Sequence, residues 1–167
     1  MDIKANDMLS QLKEQMRQES LVKGIEDLQV GDIVYYDMDR ADGIFPTSGY
    51  DSRLKYVVVA GAKTNFKEVC AVLINTDKDH SPAPDWQAEQ YLIRQEDYPE
   101  ILDHDSWIDC TDPKELKVAK IKAKEAEKKG RLKENDLANV MKHLKENDFI
   151  DSHTRKVYGI DKFELNV

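Results

Sequence analysis

The spacing of apolar positions changes period near residue 30. Before that point Leu9, Leu12 and Met16 recur at helical spacing and Gly24 offers a stop, so residues 1 to 23 are predicted to form a helix. Its polar face is mixed in sign. Beyond residue 30, short β-branched and aromatic runs alternate with turn signals. GDIVYYDMD opens on a Gly-Asp turn and continues as a strand over residues 32 to 38. The loop RADGIFPTSGYDS, with its glycines and proline, leads to a second strand, LKYVVVA, at residues 54 to 60. GAKTN then turns the chain into KEVCAVLINT, residues 67 to 76, which is apolar on both faces and is therefore expected at the centre of a sheet. DKDHSPAPDW reads as another loop. EQYLIR, residues 89 to 94, is a fourth strand, SWIDC, residues 106 to 110, a fifth, and ELKVAKI begins as a sixth.

The period changes again in LKENDLANVMKHLKEN. Leu137, Val140, Met141 and Leu144 stand at i, i+3, i+4 and i+7, the stripe of a helix lying on a core. The tail from Phe149 onward, with Val157, Tyr158 and Ile160, offers one edge strand. Several short strands closed by a helix predict a mainly β domain with helices, of the α+β class, folded as a small barrel.

Composition sharpens this outline. A chain of 167 residues with 40% hydrophobic residues suits one domain with extensions. The net charge of −8 argues against a broad electrostatic grip on nucleic acid. Cys70 and Cys110 stand in apolar contexts without CxxC spacing and read as small buried hydrophobes. No N-terminal apolar core marks a secretory signal and no stretch approaches the length of a membrane span, which predicts a cytoplasmic protein without membrane contact.

Charge is unevenly spread. Residues 77 to 112 carry eleven acids and two bases, whereas residues 114 to 133 carry nine bases and three acids. The basic run reads either as a solvated face or as a surface for RNA or an acidic partner. Arg53 and Lys55 stand two apart at the entrance of the second strand, so they share a face. They either keep their charges in water at the sheet edge or line a phosphate site. Asp103, His104, Asp105 and Asp109 match no metal-ligand spacing, and His80 belongs to no Ser-His-Asp arrangement. His143, beside the helical stripe, is expected to be exposed, and Trp86 and Trp107 to be core or interface aromatics.

Four features in order resemble the PemK/MazF family of toxin ribonucleases. GDIVYYDMD, residues 31 to 39, is similar to the family's opening strand GDIxxVDxDP. LKYVVVAG follows a Gly-rich loop as the family's RPxVVLS does, and AVLINTD, residues 71 to 77, stands where the family has VxPxTS. EKKGRLKENDLANVM, residues 127 to 141, resembles its terminal KKGxVxxEELxxI, with Gly130, Leu132, Leu137 and Val140 on matching positions. The likeness covers residues 28 to 147. It implies an N-terminal helical extension at 1 to 27, an SH3-like barrel at 28 to 147, and a separate tail at 148 to 167.

The resemblance further implies a homodimer that, in toxin members, cleaves single-stranded RNA without a metal or other cofactor, and that is held by an antitoxin or another protein partner. Such cleavage needs a group to take the 2′-OH proton, one to protonate the leaving 5′-oxygen, and a cation for charge on the phosphate. Register with the VVV run puts Lys55 on the family's arginine, with Arg53 as its substitute. Thr76 stands on the family's hydroxyl position. Asn75, Asp51, Lys128 and Lys129 complete the expected contacts with substrate. Lysine offers a point charge where arginine offers a bidentate fork. The rival reading is the same barrel without catalysis, holding a protein or peptide in the former substrate groove.

Overall fold

Side-chain alternation explains where each strand lies. The computed structural model describes residues 6–13, 28–77 and 83–164. Residues 6–13 form helix α1, on which Met8, Leu9 and Leu12 are exposed; Met16 and Gly24, read as its continuation and stop, lie outside the described residues. Strand β1 (Asp32–Asp39) turns Val34, Tyr36 and Met38 to one face and Ile33 to the other, all of them buried. β2 (Ser52–Ala62) divides Val57 and Val59 from Val58 and Ala60 in the same way. β3 (Glu68–Asn75) divides Val69 and Ala71 from Cys70, Val72 and Ile74. The two faces thus build two hydrophobic clusters.

The remaining elements extend this meander. A short helix α2 (Pro84–Gln87) precedes β4 (Gln90–Ile93) and β5 (Ser106–Asp109). β6 (Lys114–Lys117), helix α3 (Val118–Ala123) and β7 (Glu127–Arg131) follow, so ELKVAKI starts as a strand and finishes as a helix. The sheet runs β4-β5-β3-β2-β1-β7, and all pairings are antiparallel. β3 is central, as expected. Its outer edge is shared, with Glu68 to Ala71 pairing β6 while Ile74 and Asn75 pair β5. The sheet is not closed: among the described residues β4 and β7 end it without meeting. The molecule is therefore a mainly antiparallel α+β protein.

Helix α4 (Glu134–Glu146) buries Leu137, Val140, Met141 and Leu144, the stripe predicted for it. The Gly-Asp turn explains how closely it approaches. Gly31 has φ +99°, and a Cβ there would stand 2.9 Å from Leu137 Cδ2. Next to it Asp32 is fully buried. It accepts the Gln29 N–H at 2.7 Å and ion-pairs with Lys128 at 3.2 Å and Arg131 at 3.0 Å. The first and last motifs of the domain are therefore joined by a buried carboxylate. Breaking a wholly buried pair costs about 3–5 kcal/mol. Here the cations are 39% and 45% exposed and can rehydrate, so Asp32→Ala is expected to cost about 2 kcal/mol. A fall in the urea midpoint at unchanged m checks it.

The tail departs from expectation. In place of an edge strand it forms helix α5 (Ser152–Val157) and a 3-10 turn (Ile160–Lys162). Asp151 caps α5 by accepting the Thr154 N–H at 2.7 Å, and this cap prevails over the strand-like spacing of Val157, Tyr158 and Ile160. Ile150, Tyr158 and Ile160 are buried in the cluster that holds the α4 stripe, so residues 150 to 160 are built into the core. Cys70 and Cys110 are free and buried, and burial pushes the Cys70 thiol up to about 12. No helix among the described residues is long and apolar enough to cross a membrane.

Candidate phosphate site

Register decides which side chains Lys55 meets. It stands opposite Tyr36 on β1, and Val57, two residues on, stands opposite Leu73 on β3. Lys55 therefore shares the face of Tyr36, Val57 and Leu73, and Asn75, two residues beyond Leu73, shares it too. The Lys55 Nζ donates to Asn75 Oδ1 at 3.0 Å. Asn75 is buried and Lys55 half-buried. Burial, reinforced by the charge of Arg53, pushes the Lys55 pKa below the usual lysine range. Among the described residues no carboxylate pairs with it. An ammonium carries three donors, and Asn75 takes one.

The remaining candidates divide. Arg53, also on this face, is exposed and makes no hydrogen bond or ion pair among the described residues. Asp51 lies just before β2 and Thr76 just after β3; both are exposed, and neither bonds to Lys55. Lys128 and Lys129 belong to β7, with β1 between them and β2. Lys128 is held by Asp32. Lys129 pairs with Glu127 at 2.5 Å and lies 5.9 Å from the centre of the Tyr35 ring, which stacks on Tyr56 at 4.5 Å. Tyr35 neighbours Tyr36 along β1 and so projects from the opposite face to Lys55. The structure brings together Lys55, Asn75 and Arg53, and it leaves the two β7 lysines out.

The same accounting covers the basic run. Lys120 pairs with Asp39 at 2.6 Å and Asp42 at 3.1 Å, and Lys124 with Asp39 at 3.2 Å. Lys114 meets Asp112 at 2.6 Å, and Lys133 meets Asp97 at 3.5 Å. With Lys128, Lys129 and Arg131 already paired, most of the nine bases bind the protein's own acids. The Lys120 hydrogen bond, seconded by Lys124, holds the Asp39 carboxyl well below the usual range against the opposing effect of burial. Under the site face, the Tyr36 hydroxyl donates to the buried Asp42 at 3.2 Å. Sequence reading missed this network. Its trace was the i, i+4 pair Lys120 and Lys124 set against acids at 37, 39 and 42.

His143 is half-buried, not exposed, because Glu89 Oε2 holds its Nδ1 at 2.6 Å. Trp86 and Trp107 are half-buried. Asp109 is buried on β5 and accepts from Gln90 and Thr111, apart from the exposed loop of Asp103 to Asp105. His80 lies outside the described residues. No cluster of three or more His, Cys, Asp or Glu among the described residues is placed to hold a metal ion. Clefts of about 780 and 690 Å³ lie elsewhere on the surface, lined by neither Lys55 nor Asn75. Compared with known proteins by sequence, the chain matches no family model and no curated protein.

Proposed function

We propose that the protein is a divergent PemK/MazF-like member of a toxin–antitoxin type system, built as an SH3-like barrel, that grips single-stranded RNA by a phosphate. One observation carries this reading: Lys55 holds a half-buried ammonium, oriented by Asn75, with no carboxylate among the described residues to neutralise it. A desolvated cation of this kind is costly unless an anion completes it. Arg53 on the same face supplies the bidentate donor that lysine lacks.

Cleavage on this site would join the ribose 2′-oxygen to phosphorus and break the bond to the 5′-oxygen, without a metal. Arg53 and Lys55 would stabilise the charge growing on the phosphate. Lys55, its pKa already lowered, is suited to hand a proton to the leaving oxygen. Asp51, just before β2, is the nearest carboxylate in sequence to receive the 2′-OH proton. The open sheet edges at β4 and β7 favour a two-fold homodimer, for which light scattering at micromolar concentration is expected to give twice the chain mass.

A second reading has its own support. With most of the 114 to 133 bases tied to internal acids, and Thr76 and Asp51 unattached to Lys55, the face suits binding without catalysis. Titrating labelled oligoribonucleotide at rising salt tests the binding. A phosphate grip gives affinity falling linearly in log salt, and no binding at low salt overturns it. Incubating RNA with and without EDTA then separates enzyme from binding module.

A further inference from the structure

The hairpin from β2 to β3 sets an aromatic ring where the fold gains little from it. Phe66 is 62% exposed and has φ +56°, the left-handed region that bulky side chains avoid. The turn is held by the Phe66 N–H on Lys63 O at 2.9 Å and the Lys67 N–H on Asn65 Oδ1 at 2.9 Å. Glycine at 66 would keep both bonds and lose the strain. Strain kept in a residue without packing reward is characteristic of interaction sites.

Phe66 lines a cleft of about 780 Å³ between this hairpin and the corner where β6 becomes α3. Val118 and Ala119 add apolar surface, and the Val118 N–H bonds to Lys67 O at 2.9 Å to join the two walls. Lys67 and Lys117 stand exposed at the rim, and among the described residues neither has an ion pair. Glu68, the acid beside them, is bonded to Lys63. Lys117 stands opposite Glu68 across the β3–β6 pair, so one acid faces three lysines (Lys67, Lys117 and Lys122) around the cleft. The cleft thus offers an apolar floor under a net positive charge.

We propose that this cleft docks a short acidic segment of a partner protein. An apolar residue of that segment packs on Phe66, Val118 and Ala119, and its flanking carboxylates meet Lys67 and Lys117. Charge complementarity selects an acidic occupant, and the concave apolar floor selects a side-chain anchor. A nucleic-acid strand would need a track of cations to follow its phosphates, which three lysines gathered around one apolar floor do not form. The site is separate from Lys55. The eight residues of β2 from Lys55 to Ala62 span on the order of 20 Å, so this docking stands if the RNA reading falls.

Panning random twelve-residue peptides against the full chain tests it. The expected enrichment is Leu, Phe or Trp flanked by Asp and Glu. A labelled peptide of that sequence, followed by fluorescence anisotropy, should bind about tenfold or more weakly to Phe66→Gly and to the Lys67→Glu, Lys117→Glu double variant. Phe66→Gly should keep or raise the melting temperature, which separates a docking ring from a structural one. Peptides indifferent to Phe66→Gly, a lowered melting temperature, or weakened oligouridine binding or self-association in that variant would each overturn the proposal.

Discussion

Lys55→Ala is expected to weaken single-stranded RNA binding and, where the protein cleaves RNA, to slow cleavage by about one hundredfold, the scale of losing one charge-stabilising group. Folding should not suffer. The Lys55 pKa is lowered because its charge is poorly solvated and faces Arg53, so the charged form opposes folding wherever lysine is protonated in the unfolded chain. That penalty is fully present below the lowered folded value and fades as pH rises from it to the ordinary lysine pKa. Lys55→Met, which keeps the stem and removes the charge, should therefore match or exceed the native melting temperature while losing RNA. The salt dependence of binding should shallow by about one phosphate contact. Binding should also decline at lower alkaline pH than an ordinary lysine would give, since deprotonation removes the cation. Variants that unfold, or that bind RNA unchanged, would remove Lys55 from the site.

Contrasting pairs of residues show what sequence could and could not convey. The α4 stripe was legible because Leu137, Val140, Met141 and Leu144 are apolar at one period, and local periodicity is the signal that burial follows. The Lys55 and Asn75 contact was legible because β2 and β3 are consecutive and antiparallel, so position along each strand fixed the neighbours. The surroundings of Lys128 and Lys129 were hidden for the opposite reason. Their charge is visible in sequence, but the carboxylate that uses Lys128 is Asp32, on a strand from the other end of the domain. The resemblance drew on both segments without revealing that they bind each other. Closure was not legible either: a series of short strands implies a curved sheet, but whether its last strand meets its first depends on strand number, tilt and stagger, which no single segment displays. The α3 helix, between β6 and β7, had no separate period to announce it.

Gly61→Ala is expected to cost about 3 kcal/mol or more, at or above the upper end of ordinary overpacking. A Cβ on Gly61 would lie 2.4 Å from the Tyr158 carbonyl oxygen, and a main-chain atom cannot turn aside as a side chain can. That carbonyl is already committed, accepting the Ala62 N–H at 3.0 Å. Gly61 sits where the β2 and β3 register shifts, so the bulge and the tail are built against each other. The tail is further fastened by Tyr158 Oη on Glu115 at 3.0 Å and by Arg155 on the Leu144 carbonyl at 3.0 Å. Ending the chain at residue 147 should consequently be worse than the point change. It removes Ile150, Tyr158 and Ile160 from the core and exposes the sheet face behind Val58 and Ala60. Circular dichroism melts should show Gly61→Ala cooperative at a lower midpoint and the shortened chain without a cooperative transition. A shortened chain that melts like the whole would mean that the fold does not need the residues beyond 147.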